Sequence, residues 1–392
     1  MTSDMMEELN QIIVTEGLKR VSNNQHNSLL PYEQQLISDV LTLYGFTSAW
    51  QGERSKSGMN NSTFILHTSE ADYIMRQYET HNDQAKIAFE HGVLTALSNT
   101  DFELESPEPV LPLSTGNEDE EIDHGSKRSK NLVQGSKQTY QTIRDLGTGA
   151  DKIVALFRFL EGVNPVWDSP EQLFLLGRAA GQLSSALAKL ELELDPVYPP
   201  YYRIDEAYPL CTPVRLLEWC ASPPDTLAAC AEELRQLQHE LPRLFEALRG
   251  MEQLPHQLVH GDVNASNVLV DQEGTMSAIL DFEFATWDLR VMELAVPMSD
   301  MLTMDKSEEW MWQAQAYLIR GFREKVELTD EELKAIPQLI LLRSLDVVMH
   351  FISRMVEGTD EPEVAVQQII KLKQRIDWMH RNEEQLRELL TK

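Results

Sequence analysis

The sequence predicts an α+β fold with two lobes, a small β-rich N-lobe and a larger, mainly helical C-lobe. Runs rich in β-branched and aromatic residues are concentrated before residue 160. From residue 169 onward, apolar residues recur at steps of three and four, which is typical of amphipathic helices. A chain of 392 residues also exceeds the roughly 150 residues of an average domain, so more than one core is expected.

Composition and charge narrow the possible partners. Apolar residues make up 42% of the chain and charged residues 25%, as in an ordinary globular protein. The 63 acidic residues outnumber the 34 basic ones and give a net charge of −29, which argues against a nucleic-acid-binding surface. No apolar run reaches the roughly 18 residues of a membrane span, so no membrane partner is expected. A small neutral or cationic partner is compatible with this charge.

Two features predict a cytoplasmic location. The N-terminal stretch contains acidic residues and lacks the basic and apolar regions of a secretory signal. The three cysteines, Cys211, Cys220 and Cys230, are odd in number and form no CxxC pair. This pattern indicates a reducing compartment and argues against a disulfide scaffold or a cysteine zinc site.

The predicted N-lobe covers residues 31–160, after a polar tail with a helix over 1–30. Its expected elements are a helix over 31–44, a hairpin of strands 62–68 and 72–78, a helix over 83–98, and strands over 139–144 and 152–159. Residues 114–138 carry one acidic and one basic cluster but few apolar residues, so we expect a solvated insertion loop there.

The predicted C-lobe covers residues 161–392 and is mainly helical. Ser169 and Pro170 provide an N-cap and a first helical residue, so a helix is expected to begin there. Further helices are expected over 225–241, 306–324, 338–356 and 363–390, with a shorter one capped at Thr329.

The most informative residues lie between three short apolar runs in the C-lobe. His260, Gly261 and Asp262 follow the first run, Asn267 precedes the second, and Asp281 follows the third. The turn between the second and third runs predicts a hairpin, which would bring Asp281 next to the loop that carries Asp262.

Phosphoryl transfer explains this selection of residue types. The reaction needs a carboxylate that orients an attacking hydroxyl and accepts its proton, which suits Asp262. It also needs oxygen ligands for Mg²⁺, and Asn267 and Asp281 supply an amide oxygen and a carboxylate. Each residue alone has a common structural alternative, such as a turn aspartate or a hydrogen-bonded histidine, but the combined pattern favours a kinase site.

The pattern HGDxxxxN, followed by a hairpin and an apolar run ending in aspartate, resembles the aminoglycoside phosphotransferase and choline kinase-like superfamily. The resemblance covers residues 31 to about 356 and implies a protein-kinase-like fold that uses ATP and Mg²⁺. It implies that Asp262 is the catalytic base, that Asn267 and Asp281 hold Mg²⁺, and that His260 braces the loop. Glu283 stands where protein kinases usually carry glycine, which favours a small hydroxyl substrate over a protein.

In the N-lobe, the resemblance implies a nucleotide-covering loop over residues 57–62, with Gly58 and Asn61 near the phosphates. Arg76 occupies the place of the phosphate-binding lysine, and Glu90 is its expected ion-pair partner. An ordinary hairpin turn, a solvated strand arginine and an exposed helix glutamate are the structural alternatives.

Residues 153–162 resemble the strand and hinge that join the lobes. By that resemblance, backbone groups of Phe159 and Glu161 face the adenine. A strand that simply ends at Gly162 explains the same apolar run.

The acceptor site is implied to lie among C-lobe helices and the segment after Asp281. Glu283 or Asp288 could anchor an ammonium group, which would suit homoserine, choline, another amino alcohol or an aminoglycoside. Arg290 could bind a substrate carboxylate or pair with Glu293 as a structural brace. Three tyrosines could line a cation cage or belong to a packing loop: Tyr198, Tyr201 and Tyr202.

The leading interpretation is therefore an ATP- and Mg²⁺-dependent kinase of a small hydroxyl compound. A catalytically silent kinase-fold scaffold is the alternative, although a scaffold has no chemical need for Asp262, Asn267 and Asp281 together. A metal-dependent hydrolase is disfavoured because no HExxH or GxSxG motif occurs. The sequence predicts no oligomeric state.

Overall fold

The computed structural model of the chain describes residues 29–55, 61–79, 83–113, 138–145, 149–167 and 169–391. The described part divides into two compact units. The first contains the described residues of 29–83, 109–113 and 138–159, and the second contains 84–108 and 160–391. The predictions for the tail up to residue 28, for Gly58 and for the insertion over 114–137 lie outside the described residues.

The first unit is one helix on a five-stranded antiparallel sheet. The sheet has the order β1-β2-β3-β5-β4. The elements are α1 (Pro31–Leu43), β1 (Trp50–Arg54), β2 (Asn61–Thr68), β3 (Asp72–Tyr78), β4 (Tyr140–Arg144) and β5 (Asp151–Arg158). The predicted hairpin of β2 and β3 is confirmed, as are the two further predicted strands, β4 and β5, whereas β1 was not predicted. The fifth strand lies between β3 and β4, so the sheet order does not follow the chain order.

The core of the first unit follows from two periodicities. Helix α1 directs Leu36, Ile37, Val40 and Leu41 toward the sheet, at steps of one, three and four residues. The sheet presents alternate residues of its central strands to this helix: Phe64, Leu66, Tyr73, Met75, Val154 and Leu156. The registers Phe64↔Met75 and Met75↔Leu156 align these side chains across three strands.

The second unit is mainly helical, as predicted. Its longer helices are α2 (Gln84–Ser98), α3 (Pro170–Leu187), α5 (Pro213–Ala221), α6 (Ala231–Ala247), α7 (Met292–Asp300), α8 (Glu308–Arg323), α9 (Asp330–Glu357) and α10 (Pro362–Thr391), and the one-turn α4 is Ile204–Ala207. Short 3₁₀ turns precede α6 at Asp225–Cys230 and follow it at Met251–Gln253. Ser169 caps α3 by accepting a hydrogen bond from the Gln172 backbone, which confirms the predicted start of that helix.

Helix α9 corrects one sequence-based expectation. A short helix capped at Thr329 and a separate helix over 338–356 were expected, but α9 runs through both over 28 residues. Thr329 and Glu332 form a capping box at its start, and Pro337 lies inside the helix. Helix α9 also meets the length and hydropathy of a membrane span, yet 67% of its most apolar window is buried inside the protein. Most of this apolar window is therefore covered by other parts of the protein.

Two small antiparallel ribbons in the second unit position the candidate site. Strands β6 (His256–Val259) and β9 (Thr286–Leu289) form one ribbon, and β7 (Val268–Val270) and β8 (Met276–Ile279) form the other. The loop over 260–267 connects β6 to β7.

Candidate active site

The β7–β8 ribbon brings the two halves of the predicted motif together. Val268 pairs with Ile279, and just beyond this pair the Leu280 N–H donates to the Asn267 carbonyl at 2.8 Å. Asn267 ends the loop that carries Asp262, and Asp281 follows Leu280 directly. The predicted hairpin is confirmed, and it places Asp281 beside the loop.

His260 joins the loop to the strand end that carries Asp281. Its buried ring lies within 2.9 Å of the Leu280 carbonyl through Nε2, and Nδ1 accepts a hydrogen bond from the Asp262 N–H at 3.1 Å. An acceptor role for Nδ1 assigns the proton to Nε2. Burial lowers the pKa of His260 to about 4, so the ring is neutral at physiological pH. These contacts are those of a positioning residue.

Gly261 and Glu293 shape the start of the loop. Gly261 has φ +77, and a side chain there would approach the Phe284 carbonyl to 3.1 Å, so the HGD motif requires glycine at this position. One carboxylate oxygen of Glu293, in the first turn of α7, accepts from the His260 and Gly261 N–H groups. Burial raises the pKa of Glu293 to about 7. Its role was not predicted.

Asp262 is buried between an amide and a guanidinium. Its Oδ2 accepts from Asn267 Nδ2 at 3.0 Å, and its Oδ1 accepts from the Arg343 guanidinium. Burial raises the pKa of Asp262 to about 6, while Arg343 acts to lower it. The carboxylate is therefore ionised near neutral pH and held in one orientation, as a group that accepts a hydroxyl proton must be.

Asn267 and Asp281 present oxygen atoms of the kind that Mg²⁺ prefers. Asn267 Nδ2 donates to the backbone carbonyl and to the carboxylate of Asp262, each at 3.0 Å. The amide oxygen of Asn267 therefore points away from Asp262. Asp281 has φ +64, a left-handed conformation that is uncommon for residues other than glycine. Among the described residues, no group of three or more His, Cys, Asp and Glu side chains could hold a metal. A cation at Asn267 and Asp281 would need further oxygen ligands, as a phosphate-bound Mg²⁺ has.

Arg343, in α9, was missed by the sequence reasoning. Besides Asp262, it donates to Asp346 at 2.9 Å, and its guanidinium lies 5.7 Å from the ring centroid of Tyr201. The Tyr201 hydroxyl in turn donates to the Gly261 carbonyl at 2.6 Å. The sequence feature that could have indicated this role is Arg343 with Asp346, three residues apart in a mostly apolar part of α9. Charged side chains are rarely buried in such a helix unless they are paired.

The candidate acceptor residues have different environments. Glu283 is buried, with 6% of its surface exposed. Asp288 is fully buried, and its two oxygens accept from the Tyr201 and Leu289 N–H groups, both at 2.6 Å. Burial raises the pKa of Asp288 to about 7. The carboxylate of Asp288 is therefore engaged by backbone N–H groups of the protein. The anchoring roles expected for Glu283 and Asp288 stay predictions.

Arg290 and the three tyrosines contact other residues of the second unit. Arg290 donates from Nε and Nη2 to both carboxylate oxygens of Glu332 at 2.7 Å, so the expected pairing with Glu293 is wrong. This bidentate contact also argues against substrate binding by Arg290. The tyrosines do not form a common cage in the described contacts: Tyr198 packs on Phe284, Tyr201 under Arg343, and Tyr202 bonds to His256.

The candidate nucleotide residues are divided between the two units. In the first unit, Asn61 begins β2, Arg76 lies in β3, and Phe159 follows β5. The Arg76 guanidinium lies 5.4 Å from the ring centroid of Phe157. In the second unit, Glu90 is buried in α2 and Glu161 is exposed. The Arg76–Glu90 ion pair stays a prediction, as do the nucleotide-binding roles of Gly58, Asn61, Phe159 and Glu161.

Comparisons with known proteins agree with this geometry. The profile of the phosphotransferase enzyme family matches residues 52–325. The homoserine kinase of Gluconacetobacter diazotrophicus is 25% identical over 301 residues, which cover 76% of this chain and 79% of that enzyme. That of Parvibaculum lavamentivorans is 25% identical over 319 residues, 78% of this chain and 84% of that enzyme.

Solved structures share the fold at low sequence identity. A microcompartment-associated aminopropanol kinase has a TM-score of 0.58 at 16% identity, covering 90% of this chain and 98% of its own. An amicoumacin kinase in complex with AMP-PNP and Ca²⁺ has a TM-score of 0.57 at 15% identity, covering 88% and 93%. Because the family profile spans well over half of the sequence, the chain belongs to the phosphotransferase enzyme family and is a small-molecule kinase with a protein-kinase-like fold.

Proposed function

We propose that this kinase transfers the γ-phosphoryl group of ATP, with Mg²⁺, to the hydroxyl of a small acceptor that carries an amine. Homoserine is the first candidate, because the matched curated relatives are homoserine kinases. Choline, other amino alcohols and aminoglycosides are the remaining candidates within the same class. We also propose a cytoplasmic location, which the cysteine pattern supports.

The observation that carries the proposal is the environment of Asp262. Asn267 and Arg343 hold the carboxylate by hydrogen bonds to its two oxygens, and its pKa of about 6 leaves it ionised near neutral pH. An ionised, oriented carboxylate of modest basicity can accept the proton of an attacking hydroxyl. His260 and Glu293 fix the backbone of this loop from two directions.

Asn267 and Asp281 would hold the metal, and their donor set fits it. One amide oxygen and one carboxylate leave coordination positions for phosphate oxygens and water, which suits Mg²⁺ better than a cage made of protein ligands alone. When bound, the metal would neutralise negative charge on the phosphates. Arg76 is proposed to contact the phosphates, with Glu90 as its partner and with the backbone near Phe159 and Glu161 facing the adenine.

Glu283 is proposed to anchor the acceptor's ammonium group. It lies two residues after Asp281, and its burial would strengthen an ion pair with a cationic group. An ammonium group bound by Glu283 would gain a charged partner without competing for the oxygen atoms that would bind the metal.

The test is a screen of ATP consumption by the purified protein with Mg²⁺. The acceptors are L-homoserine, choline, ethanolamine, 1-amino-2-propanol, kanamycin and the neutral sugar methylthioribose. We expect acceptor-dependent ADP release with at least one amine-bearing compound and none with methylthioribose. ATP binding without acceptor-dependent turnover would instead support the silent scaffold, and a preference for methylthioribose would contradict the amine requirement.

A further inference from the structure

A second arginine, Arg375 in α10, lies close to Arg343. Its Nη1 donates to the Ser344 hydroxyl at 3.1 Å, and Ser344 directly follows Arg343 in α9. This hydrogen bond places Arg375 against the turn of α9 that presents Arg343 to Asp262.

Arg375 is also tied to the segment that supports the catalytic loop. Its Nε donates to the Leu302 carbonyl at 2.9 Å. Two residues earlier, at the end of α7, Asp300 accepts from the Ala265 N–H at 3.1 Å. Ala265 lies in the loop between Asp262 and Asn267, so Arg375 contacts the same segment that fixes this loop.

The two arginines differ in their partners. Arg343 pairs with two carboxylates, those of Asp262 and Asp346. Arg375 donates to a carbonyl and a hydroxyl, and no carboxylate of the described residues lies within 4.0 Å of it. A guanidinium has five N–H donors, and those of Nη2 have no partner among the described residues.

The surroundings of Arg375 destabilise its positive charge. Burial, together with the positive charge of Arg343, lowers the pKa of Arg375 to about 10, while the more distant Asp300 acts to raise it. The group still carries its charge at neutral pH. A partly buried guanidinium with no close anion in the protein can be stabilised by an anionic ligand.

We propose that Arg375 binds a carboxylate group of the acceptor, so that the acceptor is a hydroxy amino acid and not an amino alcohol or an aminoglycoside. A planar guanidinium grips a carboxylate through two parallel hydrogen bonds. This inference rests on the proposed function and narrows its substrate class. The acceptor is then held at three points, with its hydroxyl at Asp262, its ammonium group at Glu283 and its carboxylate at Arg375.

The test uses acceptors that differ only in the carboxylate. The pairs are L-homoserine and 3-amino-1-propanol, L-threonine and 1-amino-2-propanol, and L-serine and ethanolamine. We expect the wild type to prefer the amino acid in at least one pair, judged by kcat/KM. Arg375→Gln should lower the ratio of kcat/KM for the amino acid to kcat/KM for the amino alcohol about 10- to 100-fold. Arg375→Lys should lower this ratio less.

Arg381→Gln is the matched control, because Arg381 is an exposed arginine of the same helix. It should leave the ratio unchanged. Thermal melting shows whether Arg375→Gln is folded, and the wild-type ratios are informative even if it is not.

Preference for the amino alcohol in all three pairs would overturn the inference while leaving the proposed kinase function standing. An unchanged ratio in folded Arg375→Gln would overturn it as well. Transfer to none of these compounds and to no acceptor of the wider screen would overturn the proposed function, and the inference with it.

Discussion

At the residue scale, the site is organised around Asp262 by side chains that come from distant parts of the chain. His260, Asp262 and Asn267 follow from one short motif, so the sequence could predict them together. Arg343 and Glu293 could not be predicted in the same way, because they reach the loop from α9 and α7. A contact over 81 residues leaves no local pattern that a single sequence can reveal.

Replacing the proposed base tests its role directly. Asp262→Asn keeps an oxygen for the Asn267 amide but removes the proton acceptor, so kcat should fall by about 10²- to 10⁴-fold. AMP-PNP affinity, measured by calorimetry, should stay within about twofold of the wild type. Asp271→Asn is the matched control, since Asp271 only caps the turn between β7 and β8 through the Glu273 and Thr275 N–H groups. Wild-type turnover in Asp262→Asn would remove Asp262 from the catalytic role.

The two proposed metal ligands should respond unequally. Asp281→Ala removes a formal charge from the cation, whereas Asn267→Ala removes a neutral ligand and also the hydrogen bond to Asp262. We therefore expect the Mg²⁺ concentration that gives half-maximal activity to rise more in Asp281→Ala. In Asn267→Ala, the main loss should be in kcat at saturating Mg²⁺. Superimposable Mg²⁺ titrations for wild type and Asp281→Ala would contradict the assignment.

At the scale of elements, the strongly periodic segments were predicted well and the exceptions have physical reasons. Strand β1 was missed because its sequence, WQGER, is polar and includes glycine. It lies at the edge of the sheet, where a strand needs little apolar alternation. Two helices were expected where α9 is continuous. The helix runs through Pro337 because buried apolar contacts on both sides outweigh one lost hydrogen bond. Pairing order, with β5 inside the sheet, depends on contacts far apart in sequence.

The crossing of α3 and α8 depends on two glycines. A Cβ on Gly321 would lie 2.1 Å from the Phe174 carbonyl oxygen, and one on Gly177 would lie 2.2 Å from that of Leu318. Gly321→Ala should therefore push the helices apart and lower the free energy of unfolding by about 1–3 kcal/mol, in spite of alanine's higher helix propensity. Chemical denaturation measures this change. Gln313→Ala, at an exposed position of α8, should have almost no effect, and an equal effect of both variants would contradict the packing argument.

At the scale of the whole molecule, buried carboxyl groups make stability depend on pH. The pKa of Glu293 rises from 4.5 to about 7 on burial. Between these values the folded chain binds more protons than the unfolded chain, so this group makes the free energy of unfolding fall as pH rises. His260 acts in the opposite direction at lower pH, because its pKa falls from 6.5 to about 4.

The variant Glu293→Gln isolates the contribution of Glu293 to the pH dependence of the free energy of unfolding. Glutamine keeps an oxygen for the His260 and Gly261 N–H groups but cannot ionise. The stability of the variant relative to wild type should thus increase from pH 5 to pH 8, by at most about 3 kcal/mol. Urea unfolding at several pH values provides the measurement, and Glu384→Gln, at an exposed site of α10, is the control. A difference that stays constant over this range would show that Glu293 keeps its charge when buried.

The interrupted path of the chain through the first unit bears on how the protein is made. Strand β3 pairs with β5, whose residues are translated about 80 positions later, and residues 84–108 belong to the second unit in between. A ribosome that has completed residue 108 has therefore released only three of the five strands of the sheet. The side of β3 that pairs with β5 therefore stays unpaired until residues 151–158 have left the exit tunnel. The first unit therefore cannot complete its sheet early in synthesis, because β5 is released only after translation has entered the helical part.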